Sequence, residues 1–160
     1  MSERVMLYTS HPMTFEDLST AIVAAGGKPD PSAGDEYDIL GRIEEGERHI
    51  LVSGYRKPDM EPSQFWDDTV FHLGQNLALE IEAKLGAKPV TSFYIEIGHG
   101  PRSGLLAVEL GYQCALRWPC IVWAEVFEAG QWVVKVFTLE DMQRLRSEGK
   151  AFTTYGMFDD

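Results

Sequence analysis

The sequence has few cysteines, few basic residues and no long apolar run. Its 160 residues include two cysteines, Cys114 and Cys120, too few for a disulfide framework and not spaced as a C-x-x-C pair. No apolar stretch approaches the roughly 20 residues that a membrane-spanning helix requires. The first residues also lack the basic and apolar regions of a secretory signal. We therefore expect a cytoplasmic protein that does not bind a membrane.

Basic residues are outnumbered by acidic ones, with 14 Lys and Arg against 25 Asp and Glu and a formal net charge of −11. This excess disfavours nucleic acid and anionic membranes as main partners, because both attract Lys and Arg. It is concentrated between residues 30 and 47, where seven acids accompany a single base, Arg42. Such a run is typical of a solubilising surface, or of a docking surface whose potential steers a basic protein toward it.

The sequence predicts no metal site and no cofactor. Four histidines occur along the chain: His11, His49, His72 and His99. Neither their spacing nor that of the two cysteines matches a metal-ligand pattern. Buried free cysteines usually behave as small apolar residues, so we expect a structural role for both.

Hydrophobic periodicity divides the chain into the order strand, helix, strand, strand, helix, followed by the same five elements again. The two halves span residues 1–86 and 87–149, and a C-terminal tail covers residues 150–160. Thr14 and Thr138 each precede an Asp by three residues, which is typical of helix N-caps. We predict one α+β domain over residues 1–160, built of two tandem β-α-β-β-α units with a mostly antiparallel sheet and helices packed on one side.

The longest predicted helix begins with a Ser63 cap and ends at Leu85. Its apolar stripe recurs at spacings of three or four: Trp66, Val70, Leu73, Leu77, Ile81 and Leu85. Such regular spacing is typical of an amphipathic helix with one face in the core.

Aromatic residues are expected mainly in the core, as is usual at alternating or helical positions. This expectation covers the following rings: Phe65, Trp66, Phe71, Trp118, Trp123 and Trp132. Phe65 and Trp66 are adjacent, so we expect one of them to point away from the inner stripe. An exposed ring beside Asp67 and Asp68 would be an interface anchor, because aromatic hot spots ringed by polar groups dominate binding energy.

The glycine-rich loop from residue 98 to residue 104 is a candidate anion or ligand site. It joins a predicted strand to a helix start, where backbone N–H groups can hold an anion. The residues concerned are His99, Gly100, Arg102 and Ser103. The loop matches neither a G-x-G-x-x-G fingerprint nor a phosphate loop, so turn formation and capping are its favoured interpretation.

Two segments together carry one pattern. Residues 102–123 hold a Ser-led, Ala/Leu-rich helix and a Trp-Pro corner into a buried strand, and residues 136–145 hold a Thr-Leu-Glu-Asp helix start. Over roughly residues 98–149 the chain thereby resembles bacterial immunity proteins, the cytoplasmic antidotes encoded beside polymorphic or contact-dependent toxins. The motif is structural, and no functional residue is carried over. The resemblance implies a non-catalytic inhibitor of one cognate toxin, and many such toxins are basic nucleases.

We therefore predict an immunity protein, monomeric or weakly dimeric, that blocks a basic toxin through an acidic surface and is not an enzyme. The expected partner-binding residues are Asp35, Glu36, Asp38, Glu44, Glu45, Glu47, Asp67 and Asp68. One alternative is a small-ligand binding module with a cleft between the two halves, which an apolar pocket with a few polar groups would favour. Another is a hydrolase-type enzyme that uses the His99 loop together with Ser103 and a carboxylate.

Overall fold

The computed structural model describes residues 3–29, 40–45, 48–54, 61–98 and 102–153. The elements are β1 (Glu3–Thr9), α1 (Phe15–Ala24), β2 (Leu40–Glu45), β3 (Arg48–Gly54), α2 (Pro62–Leu73), α3 (Gln75–Leu85), β4 (Thr91–Ile97), α4 (Ser103–Arg117), β5 (Cys120–Glu128), β6 (Gln131–Phe137) and α5 (Leu139–Glu148). The strands form one antiparallel sheet in the order β2-β3-β4-β1-β5-β6. The predicted single α+β domain with a mostly antiparallel sheet is thus confirmed. No helix within these ranges is long and apolar enough to cross a membrane.

β1 lies near the middle of the sheet, paired with β4 on one side and with β5 on the other. Val5 and Leu7 point to one face of the sheet, Met6 and Tyr8 point to the other, and all four are buried. A strand that is buried on both faces requires a layer of helices on each side of its sheet.

The first face of the sheet is covered by α1, α4 and α5. Sheet and helix residues meet there in the larger core, among them Val5, Leu7, Phe93, Ile95, Leu18, Ile22, Leu110 and Met142. The start of the C-terminal tail packs on this core as well. The ring of Phe152 meets that of Phe137 edge-on, with centroids 5.1 Å apart.

The second face of the sheet is covered by α2 and α3. A separate core joins Met6, Tyr8 and Ile121 of the sheet to Trp66 of α2 and Ile81 of α3. The helices therefore lie on both faces, whereas the sequence pattern predicted them on one side. The reason is that the second face of the central strands is also apolar, and burying such surface stabilises the fold.

The predicted helix from Ser63 to Leu85 is two helices, because Gly74 interrupts it with φ 90° and ψ 151°. Glycine adopts this backbone conformation without the steric cost that a Cβ would impose. All six residues of the predicted stripe still reach the second core. The N-cap of α2 is Glu61 rather than Ser63, and Pro62 occupies the first helical turn, where its missing N–H costs nothing.

The two halves of the chain repeat the order of elements but not the directions of their strands. β2 runs antiparallel to β1, whereas β5 runs parallel to β4 with β1 between them. The crossover through α4 therefore passes over a strand of the other half. Residues 1–86 and 87–149 interleave in one sheet and share both cores.

The caps provide a test of where the helices begin. Thr14 accepts a hydrogen bond from the Asp17 N–H at 3.1 Å, and Asp17 accepts one from the Thr14 N–H at 3.2 Å. Thr14→Ala should lower the free energy of unfolding by about 1 kcal/mol. Ser63→Ala, in the exposed first turn of α2, should change it by less than about 0.5 kcal/mol. Urea unfolding followed by circular dichroism measures both, and equal losses would contradict the assignment of the caps.

Candidate functional site

The acidic segment from residue 30 to residue 47 is described only in part. Asp35, Glu36, Asp38 and Glu47 lie outside the described residues, and so does the side chain of Glu45. Glu44 is exposed on β2 and forms an ion pair with Arg42, with Nε and Oε1 2.8 Å apart. One predicted partner-binding carboxylate therefore already has a cationic neighbour within the chain.

The predicted aromatic anchor on α2 is wrong, because Phe65 and Trp66 are both buried, with exposures of 5% and 3%. The inner face of a helix is wide enough to take two adjacent side chains. The exposed ring is Phe71, at 84% exposure, and its ring meets that of His72 edge-on at 5.5 Å. Phe71 follows the exposed Asp67 by four residues, and this spacing places the two on one helix face. The four-residue spacing between Asp67 and Phe71 is visible in the sequence, and it would have identified Phe71 as the exposed ring.

The expectation that the remaining aromatics lie in the core holds only in part. Trp118 packs against the larger core and Trp123 against the smaller one. Trp132, by contrast, is 64% exposed. It lies on β6, the last strand in the order of the described sheet.

The outward side of α2 and α3 is acidic and carries exposed apolar side chains. Between Glu61 and Ala83 the sequence holds five acids and no Lys or Arg, and one of the five, Glu80, pairs with Lys84 at the end of α3 (Nζ to Oε2 3.5 Å). Phe71 and Leu79, the latter 56% exposed, are the large apolar residues on this side. We call this the α2–α3 acidic surface and define it by Glu61, Asp67, Phe71 and Leu79. Of the predicted partner-binding residues, Asp67 lies on this surface, whereas Asp68, which is also exposed, lines the cleft described below.

The described ends of the glycine-rich loop dock against the start of β3. The Gly98 N–H donates to the His49 carbonyl at 3.1 Å, and the Ser103 Oγ accepts from the His49 N–H at 3.3 Å. The His49 ring occupies the space that a Cβ at Gly98 would need. Ser103 is fully buried and Arg102 is exposed, while His99 and Gly100 lie outside the described residues. Anion binding by this loop stays a prediction, but a buried Ser103 is not accessible as a nucleophile.

A histidine that sequence reasoning left without a role lies between β1 and α1. His11 Nε2 is 2.8 Å from Asp17 Oδ2, and its imidazole stacks on Trp118 with ring centroids 5.3 Å apart. Partial burial tends to raise the Asp17 pKa, but hydrogen bonds from His11 and Thr14 outweigh it and leave this pKa below its usual value. The contacts tie the first turn of α1 to the corner that precedes β5, which is a structural role.

The two cysteines lie in the core and are not linked. Burial raises the pKa of Cys114 well above its usual value. Burial likewise raises the pKa of Cys120 to about 12, although a hydrogen bond with Thr9 opposes the shift. Across the described ranges, no group of three His, Cys, Asp or Glu side chains is placed to hold a metal ion.

A cleft of about 270 Å³ opens on the second face of the sheet, beside α2. Tyr8, Tyr94 and Trp123 line it from the sheet, and Phe65, Asp68 and His72 line it from the helix. Both halves of the chain contribute, as the small-ligand alternative requires. The Trp123 indole N–H donates to the Tyr8 hydroxyl at 3.5 Å, and the Thr69 hydroxyl donates to the Phe65 carbonyl at 2.8 Å.

No family model, curated protein or solved structure matches the chain. The geometry of the α2–α3 acidic surface and of the cleft is therefore the basis on which a function can be argued.

The buried thiols should resist modification in the folded protein. The thiolate is the reactive form, and a pKa of about 12 at Cys120 leaves very little of it near pH 8. We expect Ellman's reagent to label the native protein at least about 100-fold more slowly than free cysteine. The same protein in guanidinium chloride should release two equivalents of thiol. Labelling of either cysteine at the rate of free cysteine in the folded state would contradict a purely structural role.

Proposed function

We propose that this chain is an immunity protein, a non-catalytic inhibitor that binds a basic bacterial toxin through the α2–α3 acidic surface. One observation carries the proposal. Phe71 projects from α2 with 84% of its surface exposed, in a stretch that holds five acids and no Lys or Arg. An exposed aromatic ring beside carboxylates has the composition of an interface anchor, because aromatic hot spots ringed by polar groups dominate binding energy.

Binding would proceed in two physical steps. The net charge of −11 and the acids of α2 and α3 attract a basic partner over about a Debye length, which is about 8 Å at physiological ionic strength. Burial of Phe71 and Leu79 then supplies the short-range free energy, while the surrounding carboxylates pair with Lys and Arg of the partner. Steering affects the association rate, and the buried ring affects the dissociation rate.

The class of partner is suggested by the resemblance over roughly residues 98–149. In the structure these residues form α4, the Trp118–Pro119 corner, β5, β6 and α5. They belong mainly to the core on the first face, so they act as scaffold. The proposed docking surface lies on the opposite face of the sheet, where the side chains of α2 and α3 can vary without disturbing that core.

The acids of the first hairpin form a second, weaker candidate surface. Glu44 shares its charge with Arg42, so this part of the hairpin offers less unbalanced negative potential than α2 does. Glu45 and Glu47 follow it in the sequence, and we keep all three within the proposal because their charge still adds to the long-range field.

Growth of a bacterial host tests the proposal as a whole. The partner is the C-terminal domain of the protein encoded by the neighbouring upstream reading frame, expressed with and without this chain. We expect the domain to stop growth and this chain to restore it. A domain that is harmless, or toxicity that this chain leaves unchanged, would contradict the proposed function.

Binding kinetics with the purified toxin domain test the surface. Phe71→Ala should weaken the complex by about 2 kcal/mol, roughly 30-fold in Kd, mainly through faster dissociation. Asp67→Lys should slow association about tenfold at low salt, because complementary charge steers the encounter. The joint reversal Glu44→Lys, Glu45→Lys and Glu47→Lys should slow association less than that.

Matched controls lie on the opposite side of the molecule. Leu116 is exposed on α4 and Glu16 is exposed on α1, so Leu116→Ala and Glu16→Lys remove the same kinds of group from the other face. These controls should bind as the unchanged chain does. If they weaken binding as much as the α2 variants do, the α2–α3 acidic surface is not the docking site.

A further inference from the structure

The cleft beside α2 has a lining unlike the rest of the surface. Aromatic side chains border it: Tyr94 and Trp123 are half-buried, Tyr8 and Phe65 are almost fully buried behind them, and the His72 imidazole lies on the helix side. Its volume of about 270 Å³ is slightly below the range of roughly 300–1,000 Å³ that is typical of sites for drug-sized ligands. The size therefore suits a small metabolite.

The charge around the cleft is negative. Asp68 lines its wall from α2, and neither Lys nor Arg is among the described residues that line it. A carboxylate beside aromatic faces disfavours an anionic ligand and favours a cationic one, since the negative face of an aromatic ring attracts positive charge.

Several polar groups of the cleft are engaged within the protein. The Trp123 indole N–H donates to Tyr8, and the Thr69 hydroxyl donates to the Phe65 carbonyl. Tyr94 also has a partner within the chain. The Ser92 hydroxyl and the His72 imidazole also line the cleft, so a cation that carries a hydroxyl, such as choline, matches this lining.

We propose that this cleft binds a small organic cation of the quaternary ammonium class, with its methyl groups against Tyr94 and Trp123 and its charge balanced by Asp68. The inference does not rest on the proposed function, because the cleft lies on the inner side of α2 and Phe71 lies on the outer side. A small ligand in this cleft would also agree with the alternative drawn from the sequence, a small-ligand binding module with a cleft between the two halves.

The test is a titration of the full chain with choline, followed by ¹⁵N NMR at the indole N–H of Trp123. That resonance is assigned from its loss in Trp123→Phe. The neutral isostere 3,3-dimethylbutan-1-ol has the same shape as choline without its charge. We expect saturable shifts with choline and an affinity at least about fivefold weaker for the alcohol, because the cation–π attraction is lost.

Two variants of the same helix separate the cleft from the outer surface. Asp68→Asn should weaken choline binding about fivefold and leave the alcohol unaffected, since only the charged ligand interacts with the carboxylate. Asp67→Asn makes the same change on the outer face and should leave choline binding unchanged. Both positions are exposed, so neither variant should impair folding.

Three outcomes would overturn the inference. These are an absence of saturable shifts with choline, equal affinity for choline and the alcohol, and equal effects of Asp67→Asn and Asp68→Asn. Failure of choline to bind would leave toxin neutralisation intact, while failure to neutralise the toxin would leave choline binding intact. The two proposals can thus fail separately.

Discussion

β1 lies between β4 and β5, and its side chains are buried on both faces of the sheet. Full burial of one large apolar side chain stabilises a fold by about 1.5–3 kcal/mol, so neither face of this strand can be left open to water. Val5 and Leu7 are covered by the layer that contains α1 and α4, and Met6 and Tyr8 by the layer that contains α2 and α3. The three-layer arrangement of the domain follows from this one strand.

The same requirement produces the surface that we assign to partner binding. α2 and α3 must turn Trp66 and Ile81 toward the second face of the sheet, and the helical period then turns Asp67 and Phe71 outward. The cleft lies beside the contact between α2 and the second face of the sheet, at the side of α2 that carries Asp68. The helix pair α2 and α3 therefore has three sides: one covers the core, one borders the cleft, and one faces solvent.

Local elements could be predicted because their causes are local. The capping boxes at Thr14 and Thr138 are both present, as their spacing from an Asp predicted. The break at Gly74 was not predicted, because the apolar stripe keeps its spacing across it. The order of strands was also not predictable, since alternation shows which face of a strand is buried and not which strand lies beside it. Phe71 was assigned to the core from its residue type, although its helical position relative to Asp67 indicated the opposite.

The central claim is that the outward side of α2 and α3 is where this protein meets a basic partner. Hydrogen–deuterium exchange of the chain, alone and with the proposed partner, the C-terminal domain encoded by the neighbouring upstream reading frame, tests it most directly. Binding should slow exchange within residues 61–85 and leave α1, α4 and α5 unchanged, because only the amides covered by the partner gain protection. Protection confined to α1, α4 and α5, or no change in any part of the chain, would contradict the claim.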